Sequence, residues 1–226
     1  MMEIENSSDI EGFILAGGAS SRMGTDKAHL QLGGRDFVER IATALAAVAQ
    51  RISIVVNEQS RAETHTRFAV VPDVYENWGA LGGLHAALAN CRTSWAAIVA
   101  CDLPFVTREL FTRLVSLRDK YEAVAPLQSE DARPQPLCAL YRTIPARLRA
   151  QTLISSGERR AHMLLRALHT RFISQEELAD INGAPFLFTN VNTPEDYERA
   201  KELLSTCTSQ EIVAKSPKAS FLSPDS

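Results

Sequence analysis

Residues 12–30 read GFILAGGASSRMGTDKAHL. Gly17, Gly18 and Gly24 follow a short apolar run there and are interleaved with two cations, Arg22 and Lys27. Glycine lets the backbone come close to a bound group with its amides turned toward it. Arg22 and Lys27 add full positive charge, and the set could cradle a triphosphate. Neither of two widespread phosphate loops matches. GxxxxGK[ST] fails because Gly18 and Gly24 stand one residue too far apart and no Gly-Lys-Ser/Thr follows. GxGxxG fails because Gly17 and Gly18 are adjacent. The glycine pair also fits an ordinary strand-to-helix turn with solvated cations.

Asp102 closes the run AAIVACDLP. The Leu-Pro that follows stops a strand and leaves the carboxylate at its carboxyl end. Mg²⁺ is commonly held by one or two carboxylates plus substrate phosphates, so one well-placed aspartate could suffice. A cap or turn former is the other reading of such a residue. Asn57 and Asp73 each end a strand-like run, with turn chemistry again as the alternative. WGALGGLHAAL (78–88) is a second glycine-rich strand-to-helix turn, suited to close packing or to a flat base laid on backbone. TNVNTPED sets Asn190 and Asn192 before a helix whose start is marked by Thr193 and Pro194. His29, His65, His85, His162 and His169 show no HExxH spacing and read as surface or packing residues. Ser20 and Ser21 lack the G-x-S-x-G context of a hydrolase nucleophile.

These side chains need a scaffold, and the chain can supply one. Its 226 residues are 45% hydrophobic and 23% charged, ordinary for a globular domain. A net charge of -3 gives no basic field for nucleic acid. The apolar runs fall far short of a membrane span, and the acidic, polar start MMEIENSSDIEG is no signal peptide. Cys91, Cys101 and Cys138 lie in apolar stretches without CxxC pairing, and read as buried reduced thiols of a cytoplasmic protein.

Apolar runs at 13–16, 52–57, 68–73, 95–102, 122–127, 135–141 and 186–192 read as strands. Helical spacing marks 36–50, 82–91, 107–120, 144–154, 158–169 and 193–204. Thr107 is the expected N-cap of the third helix. Strands alternate with helices through the first half, and the strands are continuous rather than alternating. That pattern predicts an α/β fold, a Rossmann-like three-layer sandwich with a mostly parallel central sheet. One domain is expected over 11–204, after a disordered lead-in (1–10) and before a mostly disordered Ser/Thr/Pro-rich tail (205–226). In such folds ligands bind outside the carboxyl ends of the strands. The glycine loop, Asn57, Asp73, Asp102, Asn190 and Asn192 all fall at such ends.

LAGGASSRMGTDK resembles the signature loop of the nucleotidyltransferase family that includes molybdenum cofactor guanylyltransferase. The resemblance runs in order through VVN at Asn57, VVPD at Asp73, GALGGLHAAL, ACDLPF, RPQPLCALY, SGERRA and FTNVNTPED. It implies the nucleotide-diphospho-sugar transferase type of fold. It also implies GMP transfer from GTP to molybdopterin, with pyrophosphate released. By matching position, Leu15, Ala16, Gly17, Lys27, Asn57, Asp73 and Asp102 would contact the nucleotide, with Gly18 in the same loop and Asp102 on Mg²⁺. Arg22 and Lys27 would hold the β and γ phosphates. Arg159, Arg160, Asn190 and Asn192 would help hold the pterin, with a solvated helix face as the other reading of the two arginines. Transient contact with cofactor-biosynthesis or molybdoenzyme proteins is expected. The family usually carries Gly-Pro-Leu-Ala-Gly where this chain has Gly79-Ala80-Leu81-Gly82-Gly83, and loss of the proline is expected to loosen that loop. Within the class, a cytidylyl or sugar-phosphate nucleotidyltransferase is the alternative. Outside it stands a non-catalytic nucleotide-binding module. Retention of Arg22, Lys27 and Asp102 together favours an enzyme.

Overall fold

The computed structural model describes residues 9–16, 30–57, 67–73, 75, 78–128 and 133–214, with side chains described to 205. Strands β1 (Ile10–Leu15), β4 (Arg51–Asn57), β5 (Ala69–Asp73), β6 (Trp95–Ala100), β7 (Ala123–Gln128), β8 (Arg133–Pro134), β9 (Cys138–Arg142) and β10 (Thr170–Ile173) form the main sheet. Its order is β10-β7-β9-β6-β1-β4-β5, with β8 pairing β7. Strand β9 runs antiparallel to β6 and β7, and the short β8 antiparallel to β7; the other pairings are parallel. Two short strands, β2 (Gln31–Leu32) and β3 (Arg35–Asp36), form a separate hairpin.

Buried strands alternate their side chains between the two faces. Ile10, Ile14, Ile54, Ala97 and Val99 join one core with helices α1 (Phe37–Leu45) and α3 (Arg108–Ser116). Phe13, Leu15, Val55, Ala96 and Ile98 join the other, with α2 (Gly79–Asn90), α4 (Thr143–Ser155) and α5 (His162–Ala167). These are the three layers expected from the continuous apolar strands. Among the described residues, no helix is long and apolar enough to cross a membrane.

Several boundaries differ from the sequence expectation. Strand β1 begins at Ile10, because Glu11, which interrupts the apolar run, is buried and ion-paired with Arg51 at 2.8 Å. Residues 186–192 are not a strand. A 3₁₀ turn (Ala184–Phe186) leads into turn and irregular chain there, with Leu187, Phe188 and Val191 buried by packing. The edge strand is β10 instead, whose two central residues, Arg171 and Phe172, are only half-buried. Helix α5 covers only His162–Ala167, because SSGERR turns at Gly157 (φ +86) before it. Helix α6 (Pro194–Ala214) runs well past residue 204, there being no glycine or proline to stop it before Pro217. Cys101 and Cys138 are buried, Cys91 is half-buried, and none of the three is in a disulfide; burial pushes the Cys138 thiol up to about 12.

Candidate active site

The chain leaves β1 outward to β4 and β5, then returns to β6 on the other side of β1. The strand order therefore reverses between β1 and β6, and a crevice is expected outside their carboxyl ends. Leu15 ends β1 in register with Val55 and Ala100. The Cys101 amide donates to the Leu15 carbonyl (3.0 Å) and the Ala16 amide to the Val55 carbonyl (2.8 Å). Asn57 and Asp73 are the last register pair of β4 and β5. Asp102 lies two residues past the end of β6 and is half-buried. Five predicted residues, Leu15, Ala16, Asn57, Asp73 and Asp102, thus share one edge of the sheet. From β6 to β5 is three strand spacings, about 14 Å. That length accommodates an extended ligand laid along the edge. Gly17, Gly18, Arg22 and Lys27 lie outside the described residues.

Helix α2 is drawn tightly onto this edge. A Cβ added at Gly82 would stand 3.0 Å from Asp73 Oδ2 and 3.2 Å from Oδ1, and one at Gly83 3.6 Å from Leu15 Cδ1. Gly82 and Gly83 are helical, as the expected helix over 82–91 has them, and their missing side chains admit the carboxylate; the helix starts earlier, at Gly79. The turn is made by Gly79, at φ +57, and Ala80 in the missing proline's place already belongs to the first helical turn. Burial raises the Asp73 pKa, against the amide of Tyr75, which donates to Oδ1 at 3.0 Å and lowers it. His85 is the packing residue anticipated. Its ring meets Tyr75 edge-on at 4.9 Å, and burial lowers its pKa with a contribution from Arg147.

Both C-terminal motifs reach the same edge. The Val191 amide donates to the carbonyl of Asp102 at 2.9 Å, which sets Asn190 and Asn192 on either side of that contact. The helix start after them is a reciprocal cap. Thr193 Oγ1 accepts from the Asp196 amide (3.1 Å), while Asp196 Oδ2 accepts from the amides of Asn192 (2.9 Å) and Thr193 (3.0 Å). In SGERR the two arginines are unlike. Arg160 makes a two-point pair with Glu158, Nε to Oε1 at 2.9 Å and Nη2 to Oε2 at 2.7 Å. That hydrogen-bonded ion pair holds the half-buried Glu158 carboxyl down at about 2. Arg159 instead stacks on the Trp78 ring at 5.2 Å, joining this loop to the start of α2.

Trp78, Gln128 and Gln135 were not singled out by sequence reasoning. Gln135 Nε2 donates to Gln128 Oε1 (3.3 Å), and Gln128 Nε2 to the Phe188 carbonyl (3.4 Å). Gln128 closes a strand just as Asn57 does, and that position was the available signal. Among the described residues, no group of three or more His, Cys, Asp or Glu side chains could hold a metal by itself. Asp102 therefore fits a hard cation only as one carboxylate sharing it with ligand phosphates, which is an ordinary donor set for Mg²⁺.

The model of the MobA-like NTP transferase domain matches residues 12–172. A protein of Bacillus cereus named probable molybdenum cofactor guanylyltransferase is 32% identical over 199 residues, covering 86% of this chain and 96% of the relative. One of the same name from Bacillus anthracis is 31% identical over the same shares. The crystal structure of molybdopterin-guanine dinucleotide biosynthesis protein A from Archaeoglobus fulgidus superposes with a TM-score of 0.72 at 25% identity, over 87% of this chain and 99% of that one. A cytidylyltransferase from Thermus thermophilus shares the fold at 17% identity and a TM-score of 0.62, covering 87% of this chain and 99% of that one. With this match and these relatives, the chain belongs to the MobA-like NTP transferase family.

Proposed function

We propose that the protein transfers GMP from GTP to molybdopterin, forming the guanine dinucleotide and releasing pyrophosphate. The observation that carries this reading is end-to-end kinship with proteins named molybdenum cofactor guanylyltransferase. The continuous edge from Asp73 to Asp102 and on to Asn190 and Asn192 supports it, because the reaction needs two anionic ligands side by side.

In the reaction an oxygen of the acceptor's terminal phosphate forms a bond to the α-phosphorus of GTP. The bond from that phosphorus to the bridging oxygen breaks, and the electron pair leaves with pyrophosphate. The nucleophile is already anionic near neutral pH, so no general base is required. The barrier lies in bringing anions together and in charge growing on the leaving group; positioning and positive charge lower it. Arg22, Lys27 and the amides around Gly17 and Gly18 would hold the β and γ phosphates. Leu15 and Ala16 would line the nucleotide, while Asn57 and Asp73 offer acceptors for the N1 and N2 hydrogens of guanine. Asp102 would hold Mg²⁺, which supplies charge neutralisation and polarises the α-phosphate. Asn190 and Asn192, fixed beside Asp102, would orient the acceptor. The reaction is that of a cytoplasmic biosynthetic enzyme.

The test is turnover of purified protein with Mg²⁺, GTP and molybdopterin, read as pyrophosphate and as the dinucleotide by mass spectrometry, with CTP and ATP in parallel. Preference for CTP would replace the guanylyl assignment with a cytidylyl one.

A further inference from the structure

One cavity on the carboxyl edge has no role in the scheme above. It measures about 380 Å³, within the range of small-molecule sites, and lies between residues 133–137 and helix α5. Pro134, Pro136 and Leu137 give it an apolar wall, and Gln135, His162 and Arg166 supply polar groups. RPQP, the sequence of this wall, belongs to a motif that the nucleotide reading leaves unused.

We propose that this cavity receives the fused-ring end of the acceptor, with Arg166, His162 and Gln135 facing the polar atoms of the ring system. The inference rests on the GMP-transfer reading above. Its first support is position. The Ala100 amide donates to the Leu137 carbonyl at 2.8 Å, so the cavity wall adjoins the end of β6 that leads to Asp102. Asn57 and Asp73 lie beyond β1 on one side of Asp102, and the cavity lies over β9 and β7 on the other. One to two strand spacings, about 5 to 10 Å, separate it from β6. An acceptor with its phosphate at Asp102 and its body directed away from the nucleotide reaches the cavity.

The second support is connection. Gln135 is joined through Gln128 to the Phe188 carbonyl, two residues before Asn190. The cavity wall therefore anchors the segment that carries Asn190 and Asn192. The third is charge. Glu158 neutralises Arg160 in a two-point pair, so Arg160 is not the cation best placed for an anionic acceptor. Arg166 is exposed at the cavity, and no carboxylate is among the described residues that line it. A flat heteroaromatic ring suits the proline and leucine wall, and its carbonyl and ring nitrogens suit an amide and two cationic or hydrogen-bonding side chains.

The experiment uses the full chain carrying Arg166→Gln together with His162→Gln, and separately Arg166→Lys. Molybdopterin affinity is read without GTP by pterin fluorescence, Mg-GTP affinity by calorimetry, and transfer by pyrophosphate release. The double variant should keep its circular dichroism and Mg-GTP affinity while acceptor Kd and KM rise roughly tenfold or more, the scale of losing a charged hydrogen bond. Arg166→Lys should recover part of that loss. Unchanged acceptor affinity in the double variant, with wild-type transfer intact, overturns the cavity assignment alone. An equal loss of GTP affinity overturns it too. A wild-type protein that binds Mg-GTP but transfers nothing to molybdopterin overturns the acceptor reading, and the cavity assignment with it.

Discussion

The main-chain amide of Val191 donates to the main-chain carbonyl of Asp102 at 2.9 Å, so two segments 89 positions apart meet at the site without using either side chain. Asn190 is exposed and Asn192 half-buried on either side of this contact. Truncating their side chains leaves the Val191–Asp102 bond and the Asn192 amide bond to Asp196 in place. Asn190→Ala and Asn192→Ala should therefore fold normally, weaken molybdopterin binding by roughly 5- to 10-fold per lost hydrogen bond, and spare GTP. Parallel titrations with each substrate check this. A fall in GTP affinity instead would place the asparagines on the nucleotide.

Asp73 presents a conflict between stability and binding. Burial raises its pKa, so folding disfavours the ionised carboxylate. The sign follows: the carboxyl destabilises the fold above its raised pKa, and that cost is relieved as pH falls toward the ordinary value of 3.8. Asp73→Asn can still accept the Tyr75 amide at Oδ1. It should raise Tm slightly at pH 7, lose that advantage near pH 3.8, and bind GTP more weakly through loss of the acceptor proposed for guanine N–H groups. Calorimetry at the two pH values, with and without GTP, measures all three.

The close approach of α2 can be tested at Gly82. Alanine there gains up to about 1 kcal/mol of helix propensity, which offsets the 3.0 Å contact with Asp73 Oδ2, so the net change should stay within about 1 kcal/mol. Leucine cannot be accommodated without displacing the carboxylate, and should cost about 1 to 3 kcal/mol by overpacking. Thermal melts of the two variants separate these outcomes. GTP affinity should follow the leucine variant down.

Much of this arrangement is legible in the sequence because strand ends are marked by abrupt changes of residue type. Asn57, Asp73 and Asp102 each follow an apolar run, and in a mostly parallel sheet such ends must share an edge. What escapes is whatever depends on which side chains meet in three dimensions. Ile10 reads as lead-in because Glu11 interrupts the apolar run, although Glu11 is buried and ion-paired with the exposed Arg51. Residues 186–192 read as a strand because burial alone makes an apolar run, while pairing needs a neighbouring edge. The two arginines of SGERR look equivalent until Glu158 engages one and Trp78 the other. The helix over 82–91 is legible, but its start at Gly79 and the approach of Gly82 to the Asp73 carboxylate are not. No local signal joins Gln135 to Gln128 and Phe188.

The length of chain required can be set by α6. Leu203 and Leu204 pack against Leu32, Phe37 and Val191, and Leu204 Cδ2 stands 2.6 Å from where a Cβ on Gly33 would lie. A chain ending at Ser205 retains these contacts and should fold and turn over like the full chain. One ending at Lys201 loses both leucines, worth about 2 kcal/mol for half-buried side chains, and should melt several degrees lower. Loss of activity on stopping at Ser205 would show that the helix beyond it takes part in function.

Lys27 and Asp102 should fail differently when removed. Lys27 lies outside the described residues, and its assignment to the phosphates rests on the residue types around it. As a point charge on a flexible stem in the proposed site, it would meet a larger negative charge as the bond to pyrophosphate breaks. Its contribution should therefore appear mainly in the rate. Loss of one such donor from a preorganised site costs about 2.7 to 4 kcal/mol, on the order of a hundredfold to a thousandfold in turnover. Asp102 is half-buried, and its carbonyl bond to Val191 survives any side-chain change, so Asp102→Ala should remain folded. What it would lose is the carboxylate proposed to share a cation with the phosphates. Lys27→Ala should keep measurable Mg-GTP binding with a large drop in kcat. Asp102→Ala should lose turnover together with the dependence of GTP binding on Mg²⁺. Steady-state kinetics and calorimetry over a Mg²⁺ titration distinguish the two. A normal Mg²⁺ response in Asp102→Ala would move the cation to another ligand, and with it the position of the transferred phosphate along the edge.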